Sequence, residues 1–178
     1  MRRESTLAPV WGSIRAEGAN VTAEQIRILV VEAHYVVRKG LVGLLEMTAG
    51  LVVVGEAANG REAIEQFCAN HPDVTLIDLR IPGRLGVEVI KRIRLESPMS
   101  RIIVLTTFED DEDLPCALEA GAQTYLLNGM AADELVATIR AVHAGRLRTL
   151  TPVELASRLH KSLGKDRGFR QFPSCDEF

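Results

Sequence analysis

Five short runs of apolar, mostly β-branched residues recur along the chain: RILVV (27–31), LVVVGE (51–56), VTLID (74–78), RIIVL (101–105) and TYLL (124–127). They are near-continuous rather than alternating, which predicts strands buried on both faces. Between them the apolar residues fall at helical spacing. Val36, Val37, Leu41, Leu44 and Leu45 are expected on one face of a first helix, and Ile64, Phe67 and Cys68 on a second. Val89, Ile90 and Ile93 form a third stripe, Leu114, Ala117 and Leu118 a fourth, and Leu135, Ile139 and Val142 a fifth. Strand and helix therefore alternate throughout residues 26–146, which predicts an α/β domain: a doubly wound parallel sheet with helices on both faces.

The flanks differ. Residues 1–25 show no period and read as a mobile leader, with Trp11 its one large side chain. Beyond HAGR, Thr151 as N-cap, Pro152 at the first helical position and Glu154 three residues after the cap make a capping box. A short linker helix is expected within residues 147–164, followed by a disordered tail over 165–178.

Charge and composition narrow the function. The formal net charge of −3 gives no basic excess for nucleic acid or an anionic membrane. No apolar run approaches the ~20 residues that span a bilayer, and no apolar stretch follows the N-terminal arginines as a secretory signal requires. The expectation is a cytoplasmic protein whose three cysteines, Cys68, Cys116 and Cys175, are reduced structural thiols. GEAANGREA has neither a dinucleotide fingerprint nor a P-loop lysine, so nucleotide binding is not expected. His71, His143 and His160 show no partner at ligand spacing, so no transition-metal site is expected, and His34, a candidate third ligand beside Glu32, reads rather as the start of the first helix. The acids of FEDDED (108–113) read as a solvated helix start, favourable beside the positive end of a helix dipole.

In open parallel α/β sheets, sites form outside the carboxyl ends of the strands. Strand one ends in Glu32 and Ala33, strand three in Asp78, strand four in Thr106 and Thr107, and strand five in Asn128. An acid at the tip of an apolar strand is costly unless solvated or used. Asp78 is the clearest such case.

The segments RILVVEAHYVVRKGL, VVGEAANGREAIE, PDVTLIDLRIPG, IIVLTTFEDDED, ALEAGAQTYLLNG and DELVATIRAVHAGR, in this order and spacing, resemble the receiver domain of two-component response regulators of the NarL/FixJ type. The resemblance implies a flavodoxin-like fold with strand order 2-1-3-4-5 and an aspartate on strand three that accepts phosphate from a partner histidine kinase. Asp78 takes that place. The family holds Mg²⁺ with two acids after strand one, the phosphoacceptor and a backbone carbonyl two residues later. By position these are Glu32, Ala33, Asp78 and Arg80. Thr106 matches the phosphoryl-binding hydroxyl, Tyr125 the switch aromatic, and Asn128 stands where the family has a lysine.

Two of these matches depart from the pattern. Ala33 offers no ligand, and Asn128 can hydrogen-bond but carries no charge. Weak Mg²⁺ binding through Glu32, Asp78 and the Arg80 carbonyl is therefore expected, with impaired phosphorylation. Arg84, within PGRLG, is a candidate substitute charge, against the commoner reading of a surface arginine. The resemblance implies a non-enzymatic signalling protein acting by protein–protein contact with a sensor histidine kinase or other signalling protein, or as a homodimer. Direct DNA binding is not expected, because the tail lacks helices with a basic recognition face. A working phospho-receiver, a NarL-type transcription regulator that has lost its end, and a flavodoxin-like ligand-binding domain stay open as alternatives. VTAEQIRILVV also resembles a natural start, which would make the leader extraneous.

Overall fold

Strands read as doubly covered are buried almost end to end in the structure, a computed structural model that describes residues 25–82, 86–106 and 113–146. Every position of β3 (Val74–Asp78) is buried, and in β1 (Ile26–Val31) only Arg27 is exposed. The remaining strands are β2 (Leu51–Ala57), β4 (Arg101–Thr106) and β5 (Thr124–Leu127). Between and after them run α1 (Tyr35–Glu46), α2 (Gly60–Asn70), α3 (Gly86–Glu96), α4 (Asp113–Glu119) and α5 (Ala132–His143). All strand pairs are parallel, and the order is β2-β1-β3-β4-β5. This is the flavodoxin-like, doubly wound fold. All but the last residue of the expected leader, and the whole of the linker helix and tail, lie outside the described residues.

Because side chains alternate across a strand, the sheet divides the core in two. Leu29, Val31, Ile77 and Val104 face α2, α3 and α4, where Ala63, Phe67, Ile90, Ile93, Leu114 and Ala117 meet them. Ile28, Val30, Leu76, Ile103 and Leu105 face α1 and α5, against Val42, Leu45, Leu135, Ile139 and Val142. No described helix is long and apolar enough to cross a membrane.

The stripes expected for α3, α4 and α5 are buried as read. Those of α1 and α2 need correction. Val36 is 80% exposed and Val37 40%, while the buried residues of α1 are Val42 and Leu45. At about 100° per residue, Val42, Leu45 and Arg38 share the inner face, and Val36 and Val37 lie well off it. In α2, Gly60, Ala63 and Phe67 are buried, and Cys68, one step further round, is an exposed free thiol. Cys116 is half-buried against the core on the α2–α3–α4 side, and Cys175 lies outside the described residues.

Two local features set the strand ends. At the start of α2, Asn59 accepts from the Glu62 N–H (3.0 Å) while the Glu62 carboxylate accepts from the Ala58 N–H (2.8 Å). The Ala58 N–H foremost, and after it a side-chain hydrogen bond from Asn59, hold the Glu62 carboxyl below its ordinary range. At the start of α3, the Gly86 N–H donates to the Leu79 carbonyl (3.0 Å), and a Cβ at Gly86 would lie 2.6 Å from Leu79 Cα. Only glycine lets the helix close this tightly on the end of β3.

Candidate functional site

Adjacency of β1 and β3 puts their carboxyl ends side by side, and with them Glu32 and Asp78. Glu32 follows β1 directly, and its N–H donates to the Ala57 carbonyl at 3.0 Å, extending the pairing with β2. Its side chain is only 1% exposed. A buried carboxylate needs donors, and His34 supplies them. The His34 backbone N–H donates to Glu32 Oε1 at 2.8 Å, and His34 Nδ1 lies 3.1 Å from the same oxygen.

His34 is also the N-cap of α1, in extended conformation, and its side chain makes no capping bond. The helix-start reading of His34 therefore holds. The alternative of a third ligand beside Glu32 also keeps a geometric basis: a carboxylate oxygen of Glu32, a ring nitrogen of His34 and a carboxylate oxygen of Asp78 lie within 4.8 Å of one another. The Glu-x-His spacing after a strand was visible in the sequence. The arrival of Asp78 depends on β1 and β3 being neighbours, which hydrophobic periodicity does not specify.

Arg38, one and a half turns into the chain path from Glu32, was not singled out by sequence. Its Nη1 donates to the Glu32 carbonyl at 2.6 Å and reaches the Ala33 carbonyl at 3.4 Å. Its Nε stands 3.4 Å from Glu56 Oε2 on β2, and Lys39 Nζ donates to Glu56 Oε1 at 2.7 Å. The backbone that carries the acid is thus tied to both α1 and β2. The signal available in sequence was a positive charge on the inward face of α1.

Ala33 is half-buried and packs against the core on the α2–α3–α4 side. Asp78 closes β3 at 5% exposure, and its Oδ1 accepts from the Arg80 N–H at 3.1 Å, which fixes the turn after the strand. Arg80 itself is exposed. Thr106 closes β4, buried, and its carbonyl accepts from the Asn128 N–H at 2.8 Å. Asn128, just past β5, is exposed, and Tyr125 on β5 is half-buried against the same core as Ala33. Thr107, Arg84 and all of FEDDED except Asp113 lie outside the described residues.

The sequence-selected positions among the described residues thus lie at or near the carboxyl ends of the strands. Glu32 and Asp78 form the acidic part of the pocket, and Thr106, Asn128 and Tyr125 lie on the β4–β5 side. The carboxylates of Glu32 and Asp78 are hard oxygen donors of the kind Mg²⁺ takes.

Comparison with known proteins agrees with this architecture. The family model described as the response regulator receiver domain matches residues 28–140. Among curated proteins, the chain is 38% identical over 134 residues to the transcriptional regulatory protein LnrK of Bacillus subtilis, covering 75% of this chain and 60% of that protein. It is 36% identical over 137 residues to the nitrate/nitrite response regulator protein NarL of Escherichia coli, covering 75% and 63% respectively. It therefore spans less than two thirds of the length of these relatives. Among solved structures, it superposes on a two-component response regulator of the LuxR family from Aurantimonas with a TM-score of 0.68 and 34% identity, covering 78% of this chain and 98% of that one. The chain belongs to the response regulator receiver domain family, the signalling module of two-component systems, with NarL- and LuxR-type regulators as its relatives.

Proposed function

We propose that this receiver is atypical: it works in the cytoplasm by protein–protein contact, and Mg²⁺-dependent transfer of phosphate from a sensor histidine kinase to Asp78 is impaired. The observation that carries this reading is the make-up of the pocket. Asp78 and Glu32 stand together, but Ala33 turns a methyl into the core and Asn128 ends β5 without a charge.

Phosphoryl transfer to a carboxylate depends on positioning and on neutralising the charge of the phosphoryl oxygens. In this chain Asp78 is the phosphoacceptor, Thr106 supplies the hydroxyl and Tyr125 the switch aromatic. Glu32, Asp78 and the Arg80 carbonyl are the residues that would hold Mg²⁺, weakly, and the ion would supply positive charge to the transferring group. A charge-assisted contact of the kind the missing lysine makes contributes about 1.5–3 kcal/mol, so its loss weakens the phosphorylated state by roughly ten- to a hundredfold. The contact face in this reading is α4–β5–α5, or α1 and α5 between two copies.

The test is incubation of the full chain with acetyl phosphate and Mg²⁺, followed by intact-mass measurement. No stable phosphorylation of Asp78 is expected. A Mg²⁺-dependent mass gain that Asp78→Asn abolishes overturns the reading. It would instead favour a working phospho-receiver, which the juxtaposition of Glu32 and Asp78 supports; labelling should then rise further in an Ala33→Asp, Asn128→Lys double variant.

A further inference from the structure

We propose that Glu32, His34 and Asp78 form a site for a borderline first-row divalent ion, of the Co²⁺ or Zn²⁺ class, that is preferred over Mg²⁺, with the His34 imidazole as a ligand. The proposal deepens the reading above. It rests on the same placement of Glu32 and Asp78, and it does not depend on whether Asp78 accepts phosphate.

The spacing of the donors is the first support. Neighbouring ligands on an ion with bonds of ~2.0–2.1 Å stand roughly 2.9–3.4 Å apart. His34 Nδ1 and Glu32 Oε1 are 3.1 Å apart, already at that separation. An Asp78 oxygen lies within 4.8 Å of both. Among the described residues this is the one group of three such donors that converges in this way.

Burial and mobility are divided suitably between the three. Glu32 and Asp78 are buried, fixed on adjacent strand ends, and so form a rigid floor. The His34 side chain is 76% exposed and can adjust over them without disturbing the core. Two carboxylates also balance the charge of a divalent ion.

Donor chemistry sets the preference. Carboxylate and carbonyl oxygens alone suit Mg²⁺, whereas imidazole suits Zn²⁺, Co²⁺ and their neighbours, which Mg²⁺ does not match in affinity for nitrogen. An acid at position 33 would add another hard oxygen and more negative charge. Ala33 adds neither, which leaves His34 as the third side-chain donor. The substitution that weakens the Mg²⁺ site thus leaves a mixed nitrogen–oxygen set behind.

The test uses the full chain, titrated with Co²⁺ and followed by its visible d–d absorption, then challenged with Zn²⁺ or Mg²⁺. One equivalent of Co²⁺ is expected to bind, Zn²⁺ to displace it, and Mg²⁺ to require at least about tenfold more. His34→Ala should lose about tenfold or more in Co²⁺ affinity and keep its Mg²⁺ affinity, whereas Glu32→Gln should weaken both. His34→Ala keeps the backbone N–H that donates to Glu32 but loses the Nδ1 contact, so its unchanged Mg²⁺ affinity is the check that the pocket is intact. Mg²⁺ binding as tightly as Co²⁺ overturns the proposal. So does Co²⁺ affinity unchanged in His34→Ala, which places the ion on other residues. Phosphate labelling of Asp78 would overturn the reading of impaired phosphorylation and leave these titrations standing, so the two failures are distinct.

Discussion

Thr75 is the second residue of β3, paired in register with Leu29 on one side and Ile102 on the other, and its hydroxyl is buried with no hydrogen-bond partner among the described residues. Leaving such a group unpaired costs about 1–3 kcal/mol, and valine has nearly the same shape without the hydroxyl. Thr75→Val is expected to stabilise the fold by about 1 kcal/mol, seen as a melting temperature raised by a few degrees. A lower melting temperature would mean that the hydroxyl is paired after all. At this scale sequence was a good guide to acids and a poor one to their partners. Asp78 and Glu32 stand out as charges ending apolar strands. The bonds that His34 and Arg38 make to residue 32 follow from the path of the chain after β1, and no residue type announces that path.

The junction of β3 with α3 shows how a single element is placed. Gly86 lets the first turn of α3 lie on the backbone of Leu79, with the Asp78 carbonyl 3.0 Å from where a Cβ would be. Backbone cannot move aside as a flexible side chain can. Gly86→Ala is therefore expected to destabilise the domain by about 1–3 kcal/mol, read as a lower midpoint of urea denaturation with unchanged slope. Helical stripes were legible where apolar residues were few and regularly spaced, as in α3 with Val89, Ile90 and Ile93. They misled in α1, where Val36 and Val37 add apolar residues to a helix that buries Val42 and Leu45 instead. Excess hydrophobicity blurs the phase of a helix, and only packing against the sheet decides which face turns inward.

Across the whole molecule, the sheet separates two cores that meet only through its backbone. Ile28 belongs to the α1–α5 side and Ile77 to the α2–α3–α4 side. Each substitution to valine should cost about 0.5–1.5 kcal/mol, and the pair should add to within about 0.5 kcal/mol. Ile77 and Ile90 share one core, so their double variant should depart from additivity. Denaturant midpoints of the single and double variants decide between these outcomes. Continuous apolar strands made the doubly covered sheet legible, but not its strand order, which is what brings Glu32 to Asp78. That order followed from resemblance, not from periodicity. The frame around position 33 has a last consequence. Arg38, a protein side chain rather than an ion, holds the carbonyls of Glu32 and Ala33. That hold persists whether or not an acid sits there. Every alanine codon is one base from an aspartate or glutamate codon, so in evolutionary terms a second acid is a short step away, with the backbone that would receive it already in place.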